Sequence, residues 1–509
     1  MSPKKKKEET KPKPIDLKLT LENFGPLRKA EVELKPMTIF IGPNNSGKSY
    51  VAMMFYSLFR SYWHVDPGPP IYPPEAADEE TTKQLNPWRF IQRPFCEDAL
   101  MEFLGQHGPL GRAAKIGIPR ELLLRVAHDI FQEVSLGVLV GQISDIYDAS
   151  LKELGRMPGR AFQLVVTAGD WRADLKCEND ELTIVNIDPG PQIKEIPLRF
   201  AVSTITGDQL KEAGLQGRSE LAILGHSVAS EALRPFWQRL DRGHFYLPAQ
   251  RSSWMQTFLD LIQDRIGSMT HIPREPGKQP VMMGTGRWFL RHLAEVSRQG
   301  LGPLSERLAR DMETDLIRGE ILLRAADEKL LPAFYYRFSE GEIPLHRASS
   351  SVSELAPLFL YTKYFLHPAC ILIIDEPEAH LHPGAIRVLA KYLVRLVREG
   401  VNLIITTHSD YLFGQINNYM LAGNLRQKGA AKEMKGDSEV YLDSSEVACY
   451  LFKAGDSPEE GFSTEELKAE EEGFPEREFT QVARAMYNQS VKLRTQMIPE
   501  KRLGDVAKG

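Results

Sequence analysis

One stretch near the N-terminus constrains the fold more than any other. Residues Met37–Ile41 are a short run of apolar and β-branched side chains, and the pattern G-x-x-x-x-G-K-S follows at Gly42–Ser49. An apolar, helix-like segment, Tyr50–Phe59, comes next. A phosphate-binding loop needs this order of strand, glycine-rich loop and helix, because backbone N–H groups and the helix N-terminus together form an anion site. The pattern therefore predicts a nucleoside triphosphate site; a chance glycine turn before a helix is the alternative.

The residue types in this loop match the chemistry of ATP with Mg²⁺. Two glycines let the backbone wrap around phosphate, the lysine can reach the β- and γ-phosphates, and the serine hydroxyl that follows can ligate Mg²⁺. The predicted nucleotide-binding residues are Gly42, Pro43, Asn44, Asn45, Ser46, Gly47, Lys48 and Ser49.

The bulk composition sets the class of protein. A chain of 509 residues is too long for one simple core, and 42% hydrophobic with 26% charged residues is typical of a soluble globular protein. The 4 cysteines form no C-x-x-C pair, which disfavours disulfides and structural zinc and fits a reducing cytoplasm. We find no apolar run near the roughly 20 residues that span a bilayer. A net charge of −5 gives no global attraction to nucleic acid.

Two further strands indicate an α/β fold. Leu372–Ile374 and Asn402–Thr407 are nearly continuous apolar runs separated by a helix-like segment at 384–398. Such strands predict a parallel sheet that helices cover on both faces. Alternating patterns predict antiparallel strands at 15–34, 162–185 and 321–338 and a strand at 438–442, and helical periodicity predicts short helices over 97–156 and a last helix at 480–493.

The expected domains follow from these patterns. The fold class is a mixed or parallel sheet with flanking helices, an antiparallel β-subdomain and a large, mainly helical insertion. The segments are a disordered basic tail at 1–14, the N-terminal part of a nucleotide-binding head with the phosphate-binding loop at 15–63, the helical and β insertion at 64–243, a further head and lever segment at 244–347, the rest of the head at 348–445, and a C-terminal segment at 446–509.

Acidic residues and a histidine stand at the ends of the two apolar strands. Asp375 and Glu376 close the first, and open α/β sheets bind ligands at the carboxyl ends of their strands. The first carboxylate can hold Mg²⁺, and the second can accept a proton from the attacking water or orient it. His408 closes the next strand, where an imidazole can donate to the γ-phosphate. Solvated acids and a structural histidine are the alternative, which the upstream Lys48 disfavours.

A serine-rich run, Ala348–Leu355, precedes an apolar helix. It is a good helix N-cap. Small hydroxyl residues at a helix N-terminus also make an anion site. This anion site is far along the chain from Lys48, which favours binding to the phosphates of a neighbouring copy.

The order of these motifs resembles the ABC-type ATPase head, which transporter subunits, chromosome-maintenance ATPases and the overcoming-lysogenization-defect (OLD) nucleases share. Several segments are similar to the narrower OLD-like AAA family, which includes ATPase subunits of the anti-phage systems PARIS and Septu. They are Asn23–Gly25, Gly42–Ser49, Leu247–Arg251, Glu376–Pro383 and Thr407–Ser409.

The resemblance implies a homodimer in which two heads enclose two ATP molecules. Lys48 of one chain and the signature serines of the other would complete each site. Ser349 matches the serine that meets the opposite γ-phosphate, and Ser351 stands where the family has glycine. Either Gln250 or Arg251 takes the place of the Q-loop, the spacing leaving the choice open.

Two further features carry weight in the comparison with this family. The segment with His380 and His382 corresponds to the partner-contacting D-loop; a metal role for the two histidines lacks a third ligand. OLD nucleases append a Toprim domain with clustered acids, whereas about a hundred residues follow His408 here without such a cluster.

The sequence thus predicts a cytoplasmic ATPase, with Glu376 and His408 catalytic and Ser49 and Asp375 at the metal. It is expected to act in anti-phage defence as a sensor and regulator of a separately encoded effector protein, expected to be a nuclease, with no membrane partner. The alternatives are an ATP-locked scaffold with little turnover and a DNA-repair ATPase that binds DNA ends. Nucleic acid therefore stays open as a partner.

Overall fold

The computed structural model describes residues 15–65, 115–132, 136–156, 161–190, 195–199, 236, 239–256, 284–296, 300–302, 304, 306–325, 332–428, 440–471, 473–475 and 486–493. The strands are β1 Leu17–Phe24, β2 Leu27–Glu33, β3 Met37–Ile41, β4 Lys115–Pro119, β5 Phe162–Ala168, β6 Trp171–Glu178, β7 Glu181–Asp188, β8 Glu195–Arg199, β9 His244–Leu247, β10 Glu320–Ala325, β11 Pro332–Phe338, β12 Gly341–Pro344, β13 Ile371–Asp375, β14 Asn402–Thr407, β15 Val447–Ala454 and β16 Phe462–Leu467.

The helices are α1 Lys48–Val65, α2 Arg120–Ile130, α3 Leu136–Tyr147, α4 Leu151–Leu154, α5 Gly284–Glu295, α6 Glu306–Ile317, α7 Ser350–Tyr364, α8 Pro383–Arg398 and α9 Asp410–Gln427. Short helical stretches also occur at 251–256 and 486–493. Among the helices described, none has the length and apolarity to cross a membrane.

An 11-stranded mixed sheet dominates the fold, in the order β7-β6-β5-β1-β2-β16-β15-β3-β14-β13-β9. Strands β15, β3, β14, β13 and β9 are parallel. Strands β7, β6, β5, β1 and β2 are antiparallel, and β16 joins the two halves. The predicted fold class, with its parallel centre and antiparallel β-subdomain, is confirmed.

Burial explains why these segments form central strands. All residues of β3, β13 and β14 are buried, because both faces of the parallel half are covered. In β3 the side chain of Phe40 packs into one core with α1, and those of Ile39 and Ile41 pack into a second core with α7 and α8. Strand β1 instead alternates between buried and partly exposed residues, as expected for an antiparallel strand.

Two sequence predictions are wrong. Residues 440–442 of the strand predicted at 438–442 are irregular. Val440 and Leu442 are buried in the core that includes α9, and the Leu442 N–H donates to Tyr419 O. Among the described residues, the alternating burial therefore arises without hydrogen bonds to a neighbouring strand. The strands of this region, β15 and β16, lie further along the chain. Strand β4 also interrupts the helical run predicted over 97–156. Predictions for 1–14, 66–114 and most of 200–243 fall outside the described residues.

Candidate nucleotide site

The loop between β3 and α1 has a backbone that only glycine accommodates at two positions. Gly42 has φ 138° and Gly47 has φ 97°. A Cβ atom on Gly42 would lie 2.7 Å from Phe452 O, and one on Gly47 would lie 2.7 Å from Leu27 Cδ2. The loop is therefore wrapped tightly against β15 and β2, and its two glycines are required by geometry.

Lys48, the first residue of α1, turns its side chain back into this loop. Its ammonium donates to Gly42 O at 3.1 Å and to Pro43 O at 2.8 Å, and it lies 3.5 Å from Ser46 Oγ. Burial lowers the pKa of Lys48 to about 8, although Glu376, Asp375 and Glu378 favour its charged form. Pro43, Asn44 and Asn45 form the exposed rim of the loop.

Asp375 brings the end of β13 to the same place. It is buried, and its Oδ2 accepts a hydrogen bond from the Tyr246 hydroxyl at 2.5 Å while Oδ1 accepts one from Thr406 Oγ1 at 2.8 Å. Burial raises the pKa of Asp375 overall, although Tyr246, Thr406 and the nearby Ser49 hydroxyl favour the charged form of the carboxylate. A hydroxyl and a carboxylate oxygen that meet beside a phosphate-type loop fit a Mg²⁺ ion.

Glu376 and His408 form a second pair at this edge. Glu376 adopts a left-handed backbone with φ 47°, and its N–H donates to Thr406 O at 3.0 Å. His408 Nε2 lies 3.4 Å from Glu376 Oε1. The hydrogen bond from His408 is the largest cause that lowers the pKa of Glu376, against the opposing effect of burial. Both side chains are partly exposed, so the carboxylate is ionised and reachable.

Two residues of the site were assigned no role from the sequence. Glu378 Oε1 accepts from Thr407 Oγ1 at 2.6 Å and from the His408 N–H at 3.0 Å, so it fixes the end of β14. Its position in the pattern E-P-E was the available signal. Tyr246 reaches Asp375 because β9 pairs with β13, an adjacency that no local pattern reveals.

The serines before α7 lie elsewhere. Ser349 is the N-cap, accepting from the Val352 N–H at 3.4 Å, and Ser351 Oγ donates to His380 O at 2.8 Å. Within the described residues, no hydrogen bond joins Ser349 or Ser351 to Gly42–Ser49. The described part of the chain contains no group of three or more His, Cys, Asp and Glu side chains that could hold a metal ion. His380 and His382 therefore do not belong to such a group.

Gln250 and Arg251 have different environments in the structure. Gln250 is exposed, at the turn after β9. Arg251 is buried and donates to Asp375 O at 2.7 Å, to Glu376 O at 3.1 Å and to Pro248 O at 3.1 Å. A guanidinium has no lone pair to offer a cation, so Arg251 is not a metal ligand.

Comparison with known proteins gives one matching family model. The family model for the AAA ATPase domain matches residues 17–90 and 300–413, which include the loop, Asp375, Glu376 and His408. In these segments the chain resembles an AAA ATPase domain. No curated protein matches the chain.

Three solved SMC head structures are similar at low level. The SmcHead bound to the C-winged helix domain of ScpA is 10% identical, with a TM-score of 0.36, over 89% of this chain and 97% of that one. The Pyrococcus furiosus Smc head with an extended coiled coil, bound to the C-terminal domain of ScpA, is 10% identical, with a TM-score of 0.36, over 92% and 98%. The Thermotoga maritima SMC head domain is 11% identical, with a TM-score of 0.31, over 89% and 98%.

Proposed function

We propose that this protein binds ATP with Mg²⁺ at the β3–α1 loop and hydrolyses it to ADP and phosphate. The parallel register of β3, β14 and β13 carries the proposal, because it places Ile41, the last residue before the loop, beside Thr407 and places Thr406 beside Asp375. It joins the phosphate-type loop to the end of β13, with the Lys48 ammonium close enough for Asp375 and Glu376 to favour its charge. The match to the AAA ATPase domain model supports the same activity.

The residues have distinct tasks in this reaction. Backbone N–H groups of the loop and Lys48 stabilise the charge on the phosphates. Glu376 accepts the proton of the attacking water, and His408 holds the carboxylate in its ionised form. Ser49 and Asp375 would hold Mg²⁺, which neutralises phosphate charge when bound.

We propose further that two copies complete each site. Ser349 and Ser350 are exposed at the N-terminus of the 15-residue helix α7, and Ser349 has no hydrogen bond to its own chain's phosphate loop in the described residues. An exposed helix N-terminus suits the γ-phosphate of a second copy, and the Ser349 hydroxyl, which accepts a bond from the Val352 N–H, keeps its own hydrogen to donate. Ser349 and Ser351 are therefore assigned to the partner's nucleotide, and Gln250 to the rim of the chain's own site.

Phosphate release tests the activity. Glu376→Gln should lower kcat by about 100-fold or more, because a general base contributes ~10²–10⁴-fold, while ATP still binds. Glu399→Gln is the matched control, since Glu399 is exposed at the opposite end of α8 and should leave kcat unchanged. Equal rates for wild type and Glu376→Gln would contradict hydrolysis at this site, and equal near-zero rates would favour an ATP-locked scaffold.

The biological role rests on the resemblance to the OLD-like group. We place the ATPase in the cytoplasm as a sensor that regulates a separately encoded effector, a nuclease, in anti-phage defence. The segments that support this are Leu247–Arg251 and Glu376–Pro383. The purified protein with ATP, Mg²⁺ and plasmid DNA should leave the DNA intact. ATP-dependent cleavage by this chain alone would contradict the assignment.

A further inference from the structure

A buried ion pair links α7 to the end of β13. Arg251 Nη2 lies 2.6 Å from Glu354 Oε1, and the two side chains are 2% and 0% exposed. Arg251 Nε also donates to Glu354 O at 3.1 Å. Glu354 lies in the second turn of α7, five residues after the N-cap Ser349. One guanidinium therefore holds both the backbone and the side chain of the helix that begins with the signature serines.

The same guanidinium also donates to the two residues at the end of β13 that carry the chemistry, in addition to Pro248 O. Nη1 donates to Asp375 O at 2.7 Å, and Nη2 donates to Glu376 O at 3.1 Å. These carbonyls belong to the peptide groups on either side of the Glu376 Cα atom. Because Glu376 has φ 47°, a conformation that a non-glycine residue keeps only when its surroundings hold it, those two bonds help to fix the direction of its side chain.

Stability alone does not explain the arrangement. A buried ion pair has a large desolvation cost, and apolar side chains of similar volume often stabilise a fold as well or better. Here the guanidinium donates not only to its own turn, at Pro248 O, but also to the carbonyls of Asp375 and Glu376. A second contact also joins α7 to the segment that follows β13, because Ser351 Oγ donates to His380 O, four residues after Glu376.

We propose that Arg251 is a positioning residue that couples α7 to Glu376 of the same chain, and thereby couples the two ATP sites of the dimer. The proposal rests on the function proposed above, in which Ser349 and Ser351 contact the partner's nucleotide. When that nucleotide draws the N-terminus of α7, Glu354 moves with the helix and Arg251 moves with Glu354. The carbonyls that orient Glu376 then shift, so each chain hydrolyses its own ATP in response to its partner's.

Three variants and one control test this coupling. Arg251→Met removes every donor, Arg251→Lys keeps a charge with fewer donors, and Glu354→Gln is nearly isosteric and removes the acceptor charge. The control is Lys363→Met, which breaks another buried pair on the same helix, that of Lys363 with Glu313 at 2.7 Å, with exposures of 7% and 1%. That pair makes no contact with Asp375 or Glu376 among the described hydrogen bonds.

The measurements are kcat, KM and the Hill coefficient for ATP hydrolysis, the Kd of ATP with Mg²⁺, and Tm. Wild type should show a Hill coefficient above one. Arg251→Met and Glu354→Gln should lose about 30-fold or more in kcat, keep the ATP Kd within about threefold, and give a Hill coefficient of one, with partial rescue in Arg251→Lys. Lys363→Met should lower Tm and leave the Hill coefficient unchanged.

Either of two results in the variants would overturn the coupling. One is a Hill coefficient in Glu354→Gln and Arg251→Met equal to that of wild type; the other is a loss of kcat that follows Tm equally in these variants and in Lys363→Met. A wild type that hydrolyses ATP with a Hill coefficient of one would also exclude it while leaving the proposed ATPase intact. Failure of wild type to hydrolyse ATP would instead remove the proposed function itself.

Discussion

His408 Nε2 lies 3.4 Å from Glu376 Oε1, and the backbone that carries His408 is held by the carboxylate of Glu378. Two neighbouring strands thus deliver a carboxylate and the imidazole that keeps it ionised to one edge of the sheet. The residues next to Glu376 and His408 in the sequence do not indicate this contact. The two side chains lie close together because β13 and β14 are adjacent parallel strands in register.

Replacing His408 with alanine should slow hydrolysis more than it weakens ATP binding. The variant loses the 3.4 Å contact with the Glu376 carboxylate, and a pair this exposed to solvent contributes about 0.2–1 kcal/mol, so we expect kcat to fall by about two- to fivefold. Steady-state phosphate release measures this. His128→Ala is the control, because His128 is half exposed on α2. An unchanged kcat in His408→Ala would remove His408 from the reaction.

Replacing Lys48 with methionine should abolish ATP binding rather than turnover alone. Methionine keeps the length of the side chain and removes the ammonium that lies inside the loop. Loss of several kcal/mol of charge stabilisation predicts an ATP Kd at least 100-fold weaker. Equilibrium binding of a fluorescent ATP analogue measures it, with the exposed Lys428→Met as control. Equal affinities in both variants would place the nucleotide elsewhere.

The Tyr246→Phe variant should need more Mg²⁺. In wild type the Tyr246 hydroxyl donates to Asp375 Oδ2, and phenylalanine cannot make this bond. Loss of a group that hydrogen-bonds to a metal ligand typically weakens metal affinity by about 10- to 100-fold. We expect the Mg²⁺ concentration for half-maximal hydrolysis to rise by about tenfold with kcat at saturation little changed. Tyr336→Phe, which loses a hydroxyl bond to Ile317 O, should shift only stability. No change in the Mg²⁺ requirement would show that Tyr246 serves packing alone.

A partly buried histidine on α5 predicts how stability depends on pH. His292 Nδ1 is 3.1 Å from the Tyr361 hydroxyl, and burial, with His244, Arg60 and Arg291 nearby, lowers its pKa from 6.5 to about 3. Between these two values the unfolded chain binds the extra proton, so stability rises with pH and falls on acidification.

At pH 5.5 the loss from His292 should be about 1.4 kcal/mol relative to neutral pH, since one pH unit corresponds to that free energy. Urea unfolding at pH 7.5 and pH 5.5 measures it in wild type and His292→Gln. The acid loss should be smaller in the variant by that amount. Identical losses in the two proteins would mean that His292 is charged in the folded state.

The sequence predicted the parts of the site that local chemistry determines. Gly42–Ser49, Asp375 and His408 stand where a buried apolar strand ends, and a strand's burial and its last residue are both local. The fold class followed from the same strands. Strand β15, which lies beside β3, was missed because the alternating burial of the irregular segment 440–442 imitates a strand.

Contacts between distant segments were beyond local patterns. Arg251 and Glu354 form a pair across 103 positions of sequence, and Tyr246 meets Asp375 across 129. Neither residue alone indicates its partner, because an arginine after a turn and a glutamate in the second turn of a helix both usually lie on the surface. Only the register of β9 with β13 brings these side chains to the same buried edge.

A structure of the Glu376→Gln variant with ATP and Mg²⁺ tests the central claim most directly. We predict a metal ion about 2.0–2.1 Å from Ser49 Oγ, with Asp375 in its coordination sphere or one water away, and Lys48 Nζ on the phosphates. Ser349 of a second copy should face the γ-phosphate. A nucleotide bound away from Lys48, or a metal that neither Ser49 nor Asp375 approaches, would contradict the account.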